Sequence, residues 1–498
     1  MPLKSLIAGA GIAGLSLAYN LSNAIPNTNP NSPSNPNSEI SVTLIERHPV
    51  LRATGLQIDL RGHGIQVLKR MGLEKAYREK IVHERGLAFV DSSGKQRAFF
   101  PAGQSKNGRK LKDGVREDGK EDGEGEGVQG FSTDWEIMRG DLCRLLYAGI
   151  NRRNTECRFG IWITELQELD GQDGVRVTFS NGSQGVFDLV VGADGIGSGV
   201  RRLMFDQLQL QAGLFGSGSE LALWSSDPFV HSLGVYIGYF TVDSPIPPSS
   251  TTTTTTTKDT NLIDPYIARI HLSTKRRILF TRRHNAQSYQ IYIILAPTHP
   301  LITTAKCGGV SAEKRAMAEI LRGAGWKTNE VIDLMNDADD FYCDHLGVVR
   351  LNSWSRGAVV LVGDAAYAPS ATTGMGSSSA VVGAYVLTGE ILKNLSLSNN
   401  PVPLTPSEKK GNVLTALKSY EDIFRPFMDD VQEGIERGST YWDKIPCSRI
   451  GVAIVYFVLG IVSFLRLDVL ANYFIRERVT AAWGLPEYGC LKHGLSWG

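Results

Sequence analysis

The 498-residue chain lacks several features that would assign it to a class at once. Its 52 basic and 51 acidic side chains leave a formal net charge of +1, which indicates neither a nucleic-acid surface nor an acidic solvating tail. Its six cysteines form no Cys-x-x-Cys pair, which argues against a zinc site and a disulfide framework. We therefore expect reduced thiols, a cytoplasmic location and no metal ion.

Long apolar runs are also scarce. The N-terminal apolar stretch, Leu3 to Ala8, enters a glycine motif at once and reads as a strand, not as a secretory signal. Ile450 to Leu465 is a run of 16 uncharged residues between two arginines, whereas a membrane-spanning helix needs about 20. We favour a buried core helix for 450–465. An interfacial helix or a marginal span, and with them membrane association, stay open as alternatives.

Three segments have the composition of surface insertions. Pro26 to Ser38 is almost entirely Asn, Pro and Ser, Gly103 to Gly130 is rich in Gly, Lys, Glu and Asp, and Ser249 to Thr260 contains a threonine run. Such segments bury too little apolar surface to offset their ordering entropy. We expect loops that interrupt the fold without altering it.

The first motif with chemical content lies at the N-terminus. Strand Leu3 to Ala8, helix Leu15 to Asn23 and strand Ile40 to Ile45 form a predicted βαβ unit with a parallel sheet. Between the first strand and the helix, Gly9-Ala-Gly11-Ile-Ala-Gly14 fits the dinucleotide fingerprint. Glu46 ends the second strand, where an acid for the ribose hydroxyls is expected once the first insertion is subtracted.

Two further motifs follow apolar strands. The second motif, Asp188 to Arg201, is an apolar strand that ends in the acidic-glycine turn Asp194-Gly195, although an ordinary turn with an acidic helix cap explains that pattern equally well. Gly363-Asp364 follows the strand Ala358 to Val362, and Gly374 and Gly376 precede a helix predicted over 377–393. A carboxylate there could bind a ribityl hydroxyl, and glycine backbone could approach a flavin ring or phosphate closely.

These motifs, in this order, resemble the group A flavoprotein monooxygenases, the para-hydroxybenzoate hydroxylase-like family. The resemblance implies an α/β fold with a discontinuous Rossmann-like FAD-binding domain, built from residues 1–205 and 340–395. It implies an inserted, largely antiparallel β domain for the substrate over 206–339 and a C-terminal helical region over 396–498. The implied cofactors are FAD and NADPH or NADH, with molecular oxygen as co-substrate.

Two segments resemble one branch of that family more closely. The segment Gly55-Leu-Gln-Ile-Asp59-Leu-Arg-Gly and the helix from Ser377 are similar to tetracycline-modifying monooxygenases and fungal polyketide hydroxylases. Motifs and resemblance together give a set of cofactor-binding residues: Gly9, Gly11, Ala13, Gly14, Glu46, Arg47, Asp59, Arg139, Asp194, Gly363, Asp364, Gly374 and Gly376.

The resemblance also implies an activity. It is the hydroxylation of an aromatic or polyketide-derived small molecule through a flavin C4a-hydroperoxide, in secondary metabolism, with no protein nucleophile. A dehydrogenase or reductase of the same fold is the main alternative, and a membrane-anchored protein that binds FAD without turnover is another. His271, His284 and Tyr292 are candidate general bases, although each residue is more simply explained by packing.

Overall fold

The structure, a computed structural model, describes residues 2–24, 40–102, 135–169, 174–212, 227–245, 266–296, 299–396, 405–433, 444–466 and 483–491. The three predicted insertions, 26–38, 103–130 and 249–260, lie outside these residues. The strands, numbered in chain order, are β1 (Leu3–Ala8), β2 (Ile40–Glu46), β3 (Gln57–Asp59), β4 (Gly86–Val90), β5 (Gln96–Pro101), β6 (Glu136–Met138), β7 (Thr155–Phe159), β8 (Ile163–Glu168), β9 (Val175–Phe179), β10 (Gln184–Phe187), β11 (Leu189–Gly192), β12 (Val230–Asp243), β13 (Ile267–Ser273), β14 (Arg277–Arg283), β15 (Ser288–Leu295), β16 (Tyr342–Val349), β17 (Ser355–Arg356) and β18 (Val359–Leu361).

The α-helices are α1 (Ile12–Asn23), α2 (His63–Arg70), α3 (Glu74–Arg78), α4 (Arg139–Ala148), α5 (Gly199–Ala212), α6 (Pro300–Ala305), α7 (Gly309–Leu321), α8 (Thr328–Asp337), α9 (Asp364–Tyr367), α10 (Gly376–Ser396), α11 (Pro406–Gln432) and α12 (Arg449–Phe464). Helix α11 begins with a capping box, in which the Thr405 hydroxyl accepts the Glu408 N–H and the Glu408 side chain accepts the Thr405 N–H.

The six-stranded sheet has the order β17-β18-β11-β1-β2-β7 and is parallel except for the β17–β18 pair. Its strands β1, β11 and β18 are buried almost throughout, as expected for parallel strands that are covered on both faces. Helices α1 and α10 pack against each other in the core cluster of this sheet. The predicted βαβ unit is confirmed, with β1 at the predicted residues and β2 one residue longer.

The seven-stranded sheet has the order β16-β12-β15-β14-β13-β4-β5, and its strand pairs are antiparallel except for the parallel β13–β4 pair. Helices α6, α7 and α8 cover one of its faces. Two of its strands come from residues 86–101 and one from 342–349, outside the range 206–339 that the sequence analysis gives to this domain. Strands β4 and β13 pair although they lie about 180 residues apart, and such pairing leaves no local sequence pattern. The positions of the motifs alone therefore could not predict that these segments join the sheet.

The apolar segment 450–465 forms the helix α12 and its C-cap, which lie against β5 and β13. A core helix is the wrong expectation, because much of its apolar surface is exposed, including Phe457 at 70% and Phe464 at 86%. Among the described helices, none has both the length and the apolar character needed to cross a membrane.

Candidate FAD site and active-site cleft

The glycine turn between β1 and α1 has the geometry that its sequence predicts. Gly9 has φ +110°, and a Cβ there would lie 2.5 Å from the carbonyl oxygen of Ala193. A Cβ at Gly14 would overlap the Gly9 carbonyl oxygen, so both positions require glycine. At Gly11, by contrast, a Cβ would meet nothing closer than the Arg139 guanidinium, at 3.7 Å. The backbone at the α1 N-terminus is therefore open to a ligand, as an anion site at a helix N-terminus requires.

Glu46 lies at the carboxyl end of β2, beside this turn. One carboxylate oxygen accepts the Ala10 N–H at 2.8 Å, and the other accepts the His48 N–H at 2.9 Å. The half-buried carboxylate thus fixes the glycine turn. It lies at the rim of the open region beside the α1 N-terminus, which we call the cleft. Arg47 follows it and is exposed.

Arg139 joins the glycine turn to the loop before β3. It begins α4, and its guanidinium donates to the Thr54 carbonyl at 3.1 Å and to the Arg52 carbonyl at 3.3 Å. Gly55 has φ +137°, which favours glycine, and a Cβ there would lie 3.0 Å from the Arg139 Cδ atom, so the side chain passes close to this loop. The cation is therefore held by backbone carbonyls next to the α1 N-terminus, where a phosphate would lie.

Asp364 opens the short helix α9, directly after β18. Its side chain is accessible to solvent, yet the surrounding protein desolvates the carboxyl and raises its pKa to about 6, although the charge of Arg139 works in the opposite direction. Gly363 has φ +67°, and a Cβ there would lie 2.7 Å from the Cβ of Ala13. The first and third motifs are therefore in direct contact, with the carboxyl at the floor of an open cleft.

Asp59 ends β3 and forms an ion pair with Arg61, at 2.5 Å. The Arg61 guanidinium lies against Gly374, where a Cβ would be 3.3 Å from its central carbon. The Arg61 N–H also donates to the Ser378 hydroxyl at 2.8 Å. The β3 segment and the turn before α10 thus form one wall of the cleft. Arg61 is not among the predicted site residues, although its position two residues after Asp59 in the same motif was a usable signal.

The Asp194 carboxylate caps α5. It accepts the N–H groups of Gly199 at 2.7 Å and Val200 at 3.1 Å, and the Ser198 hydroxyl at 2.5 Å. This is the structural alternative left open for the second motif, and these bonds occupy the carboxylate. Its turn nevertheless supports the cleft, because the Cα of Asp194 would lie 2.9 Å from a Cβ at Gly9.

Arg201, in the same motif, links the second and third motifs. It is 0% exposed, forms an ion pair with Asp227 at 2.6 Å and donates to the Ala365 carbonyl at 2.8 Å. Removing one partner of such a buried pair is costly because it leaves an uncompensated charge. This residue therefore holds α9, and with it Asp364, in place against α5.

No protein-family model matches the chain. The chain is 37% identical over 487 residues to the FAD-dependent monooxygenase asL4 of Sarocladium schorii, and the alignment covers 98% of each chain. It is 32% identical over 469 residues to the flavin-dependent monooxygenase eupH of a Phoma species. That alignment covers 92% of this chain and 91% of the relative. The chain belongs to the FAD-dependent monooxygenases.

The fold of this monooxygenase agrees with that assignment. The crystal structure of the tetracycline destructase Tet(51) superposes with a TM-score of 0.65 at 22% identity, and the match covers 98% of this chain and all of that one. The predicted para-hydroxybenzoate hydroxylase-like fold is therefore confirmed. The residues present also fit FAD, because the cleft combines an open helix N-terminus at Gly11, a cation at Arg139 and an accessible carboxyl at Asp364.

A row of aromatic rings crosses the seven-stranded sheet of the monooxygenase. Tyr342, Tyr239, Tyr292 and Phe280 lie opposite one another on β16, β12, β15 and β14, with successive ring centroids 5.4, 6.4 and 5.2 Å apart. The row faces the cleft side, since the Gln57 N–H donates to the Tyr292 hydroxyl at 3.3 Å.

Arg52 lies over the end of this row. Its guanidinium carbon is 4.7 Å from the centroid of the Tyr342 ring, a cation–π distance. Desolvation acts to lower the pKa of Arg52, but Tyr342, Tyr239 and Asp344 together act in the opposite direction, and the pKa is raised. Within the described part of the chain, no carboxylate lies within 4.0 Å of this guanidinium, which stays half-buried. A cation beside an aromatic surface suits an electron-rich, ionisable ring.

A buried charge cluster connects β6 to β14. The Arg282 guanidinium bonds Glu84 at 2.8 Å and Glu136 at 2.5 Å, and the Gln57 amide also contacts Glu136. Desolvation raises the pKa of both carboxyls, against the opposing charge of Arg282. Two carboxylates share one cation, so a proton on one of them relieves the excess charge. The cluster fixes the β3–β6 pair, which carries Asp59, against the aromatic row.

The three candidate bases of the sequence analysis have other partners. His271 lies buried between the carbonyls of Val90 and Ala324, at 3.0 and 2.9 Å. The Tyr292 hydroxyl donates to Gln290 at 2.6 Å, and desolvation raises its pKa to about 12. His284 contacts the Ser288 hydroxyl at 3.2 Å, and desolvation lowers its pKa. The contacts of His271 and His284 involve no residue of the proposed FAD site, which favours the packing interpretation for both. The Tyr292 hydroxyl also accepts the Gln57 N–H, so this residue belongs to the aromatic row on the cleft side, where its raised pKa disfavours the role of a base.

A separate cavity of about 490 Å³ lies between α9, α11 and the loop that includes Trp354. Its lining includes Ala366 and Tyr367 of the third motif, but neither Asp364 nor Arg139. The chemistry that the motifs bring together is therefore in the open cleft and not in this cavity.

Proposed function

We propose that this monooxygenase hydroxylates an aromatic or polyketide-derived small molecule in secondary metabolism, with NADPH or NADH as reductant and molecular oxygen as co-substrate. The observation that carries the proposal is the row of four aromatic rings with Arg52 at its end, on the sheet face beside the cleft. Ring faces and edges favour a flat aromatic ligand. The asL4 and eupH proteins are themselves fungal monooxygenases, which supports a similar metabolic setting.

We propose the FAD contacts that the resemblance to the para-hydroxybenzoate hydroxylase-like family implies, at residues whose positions fit them. The α1 N-terminus and Arg139 would bind the pyrophosphate, Glu46 and Arg47 the adenosine, and Asp364 the ribityl chain. Asp59 would lie near the flavin ring. The remaining proposed contacts are Gly9, Ala13, Gly14, Gly363, Gly374 and Gly376. Asp194 would contribute through the backbone turn that supports Gly9, because its carboxylate caps α5.

Bound FAD supplies the redox chemistry, in which electrons from the nicotinamide reduce oxygen and one oxygen atom enters the product. The chain itself has to position the substrate and favour its reactive form. Arg52 would hold the ionised oxygen of a phenol or enol, because a cation within a few ångströms lowers the pKa of that hydroxyl. The aromatic row would align the ring plane and exclude water from the reacting carbon.

The test is a screen of phenolic and polyketide-like compounds, scored by NADPH oxidation above the uncoupled background and by a product that gains about 16 mass units. A reductase would oxidise NADPH without that mass gain. In the Tyr342→Leu variant, the lost ring contact, worth about 0.5–1.5 kcal/mol, should raise KM by roughly 2- to 13-fold for an aromatic substrate. Tyr147→Leu, on α4 and outside the cleft, is the control and should leave KM unchanged.

A further inference from the structure

Helix α12 presents a continuous apolar surface to solvent. Seven apolar side chains of the segment 450–465 are exposed: Ile450, Ile454, Phe457, Val458, Ile461, Phe464 and Leu465. At 100° per residue they fall within an arc of about 120°, and the helix is about 24 Å long. Isolated apolar residues on a surface are ordinary, but an aligned stripe of this length marks a contact with something else.

The opposite side of α12 is fixed to the protein. The Tyr456 hydroxyl donates to the Val90 carbonyl at 2.6 Å, and the Ser463 hydroxyl donates to the Phe99 carbonyl at 2.7 Å. Val452 and Tyr456 pack on Leu272 and Ile278 of the sheet. The helix is thus held flat on the sheet by its polar and inner residues, and the stripe cannot turn inward without breaking these bonds.

Basic residues lie at both ends of the stripe. Lys444 and Arg449 are exposed at its N-terminal end and Arg466 at its C-terminal end. The exposed Lys275 joins the first group, because its N–H donates to the Cys447 carbonyl at 2.9 Å. An apolar helix face with cations at its borders is the arrangement that binds an anionic lipid surface.

We propose that α12 docks this monooxygenase on an anionic membrane surface, with the stripe inserted among the lipid chains and the flanking cations on the headgroups. A second copy of the chain fits the surface less well. In an isologous pair with antiparallel helices, Arg449 of one copy would face Arg466 of the other, which places like charges together. Lipid anions pair with the cations at both ends instead.

This position has a consequence for the substrate. Ile278, which touches α12, and Phe280, in the aromatic row, are two residues apart on β14 and therefore point to the same face of the sheet. The docking helix and the proposed substrate surface are neighbours on that face. An apolar substrate dissolved in the bilayer would have a short path to the cleft. The docking itself does not depend on the proposed hydroxylation.

The test is flotation of the FAD-loaded protein with vesicles of phosphatidylcholine alone and with 30% phosphatidylserine. We expect binding to the anionic vesicles, weaker binding to the neutral ones, and weakening between 0.05 and 0.5 M salt. The triple variant Ile454→Gln, Phe457→Gln, Ile461→Gln should lose at least tenfold in partitioning. Trp162→Gln, an exposed apolar residue on another part of the surface, is the control and should bind as the wild type.

A second variant, Lys444→Ser with Arg449→Ser, alters no apolar contact and should lose only the preference for anionic vesicles. Flavin content and melting temperature establish that each variant is folded. If the triple variant does not fold, the charge variant tests the proposal on its own. Wild-type protein that fails to float with either vesicle overturns the proposal. Equal flotation of wild type and triple variant does so too, as does a wild-type dimer that the triple variant converts to a monomer without vesicle binding.

Discussion

The carboxyl edge of the six-stranded sheet, where we propose the FAD site, and the aromatic face of the seven-stranded sheet, where we propose the substrate surface, are built by different means. Backbone geometry shapes the first region, because Gly9 and Gly363 adopt positive φ and leave no room for a side chain. Side chains from four separate strands shape the second region, as with Tyr342 and Tyr239. Short sequence motifs therefore predict the first kind of site, whereas the second forms only after the strands have paired.

The largest effect is expected where the backbone itself is the site. In Gly9→Val, the new Cβ atom would lie 2.5 Å from the carbonyl oxygen of Ala193, and φ +110° is strained for any L residue. We expect purified protein without flavin and with a much lower melting temperature. The flavin-to-protein ratio and thermal unfolding measure both.

The matched control is Gly182→Ala. Gly182 also has a positive φ, +79°, but a Cβ there meets no atom within 4 Å. It should cost only the backbone strain of about 1–2 kcal/mol and should leave flavin content unchanged. Equal flavin loss in both variants would contradict the role of the close contact at Gly9.

A smaller effect is expected from one hydrogen-bonding group on the same edge. Asp364→Ala removes a charge-capable bond worth roughly 1.5–3 kcal/mol, so the Kd of FAD should rise by about tenfold to a hundredfold. Titration of the apoprotein with FAD measures this change. Asp422→Ala, exposed on α11, should leave the Kd as it is. An unchanged Kd for Asp364→Ala would remove this residue from the site.

These residues divide what the sequence could reveal from what it could not. The strands β1 and β2, the glycine turn at Gly9 and the position of Asp364 after a buried strand follow from local patterns, because each depends on residues close together in the chain. The contact of the first and third motifs joins Ala13 to Gly363, 350 residues further along, and therefore needs the folded sheet. Arg52 over Tyr342, and the cluster of Glu84, Glu136 and Arg282, depend on pairing across more than a hundred residues. Asp194 has a local pattern that fits two roles, and its hydrogen bonds favour the cap.

The buried cluster predicts a pH dependence of stability. Desolvation raises the pKa of Glu136 to about 7, above its value of about 4.3 in an unfolded chain. The folded state then binds more protons than the unfolded state between these values, so the free energy of unfolding should fall as pH rises from about 4.3 to about 7. Urea unfolding at a series of pH values measures the slope.

Glu136→Gln should reduce that slope, since Gln cannot ionise and Arg282 keeps Glu84 as a partner. The reduction should be clearest above about pH 6, because the raised pKa of Asp364, about 6, gives a slope of the same sign at lower pH. The control Glu74→Gln changes an exposed i,i+4 pair with Arg78 and should leave the slope as in the wild type. A slope that survives in Glu136→Gln would mean that another group carries the titration.

The smallest effect is expected where composition alone guides the prediction. Ser249 to Thr260 contains the threonine run and no apolar periodicity, and loop closure costs only about 0.6 kcal/mol per doubling of length. Replacing this segment by a few Gly and Ser residues should therefore leave the flavin-to-protein ratio and the melting temperature nearly unchanged.

A longer deletion that reaches Tyr266 is the contrast, because the Tyr266 carbonyl accepts the Arg85 N–H at 2.7 Å and Ile267 pairs with Gly86. That deletion should release β4 from β13 and lower the melting temperature. If the short deletion is as damaging as the long one, the threonine segment packs on the sheet, and composition is a poor guide on this side of the molecule.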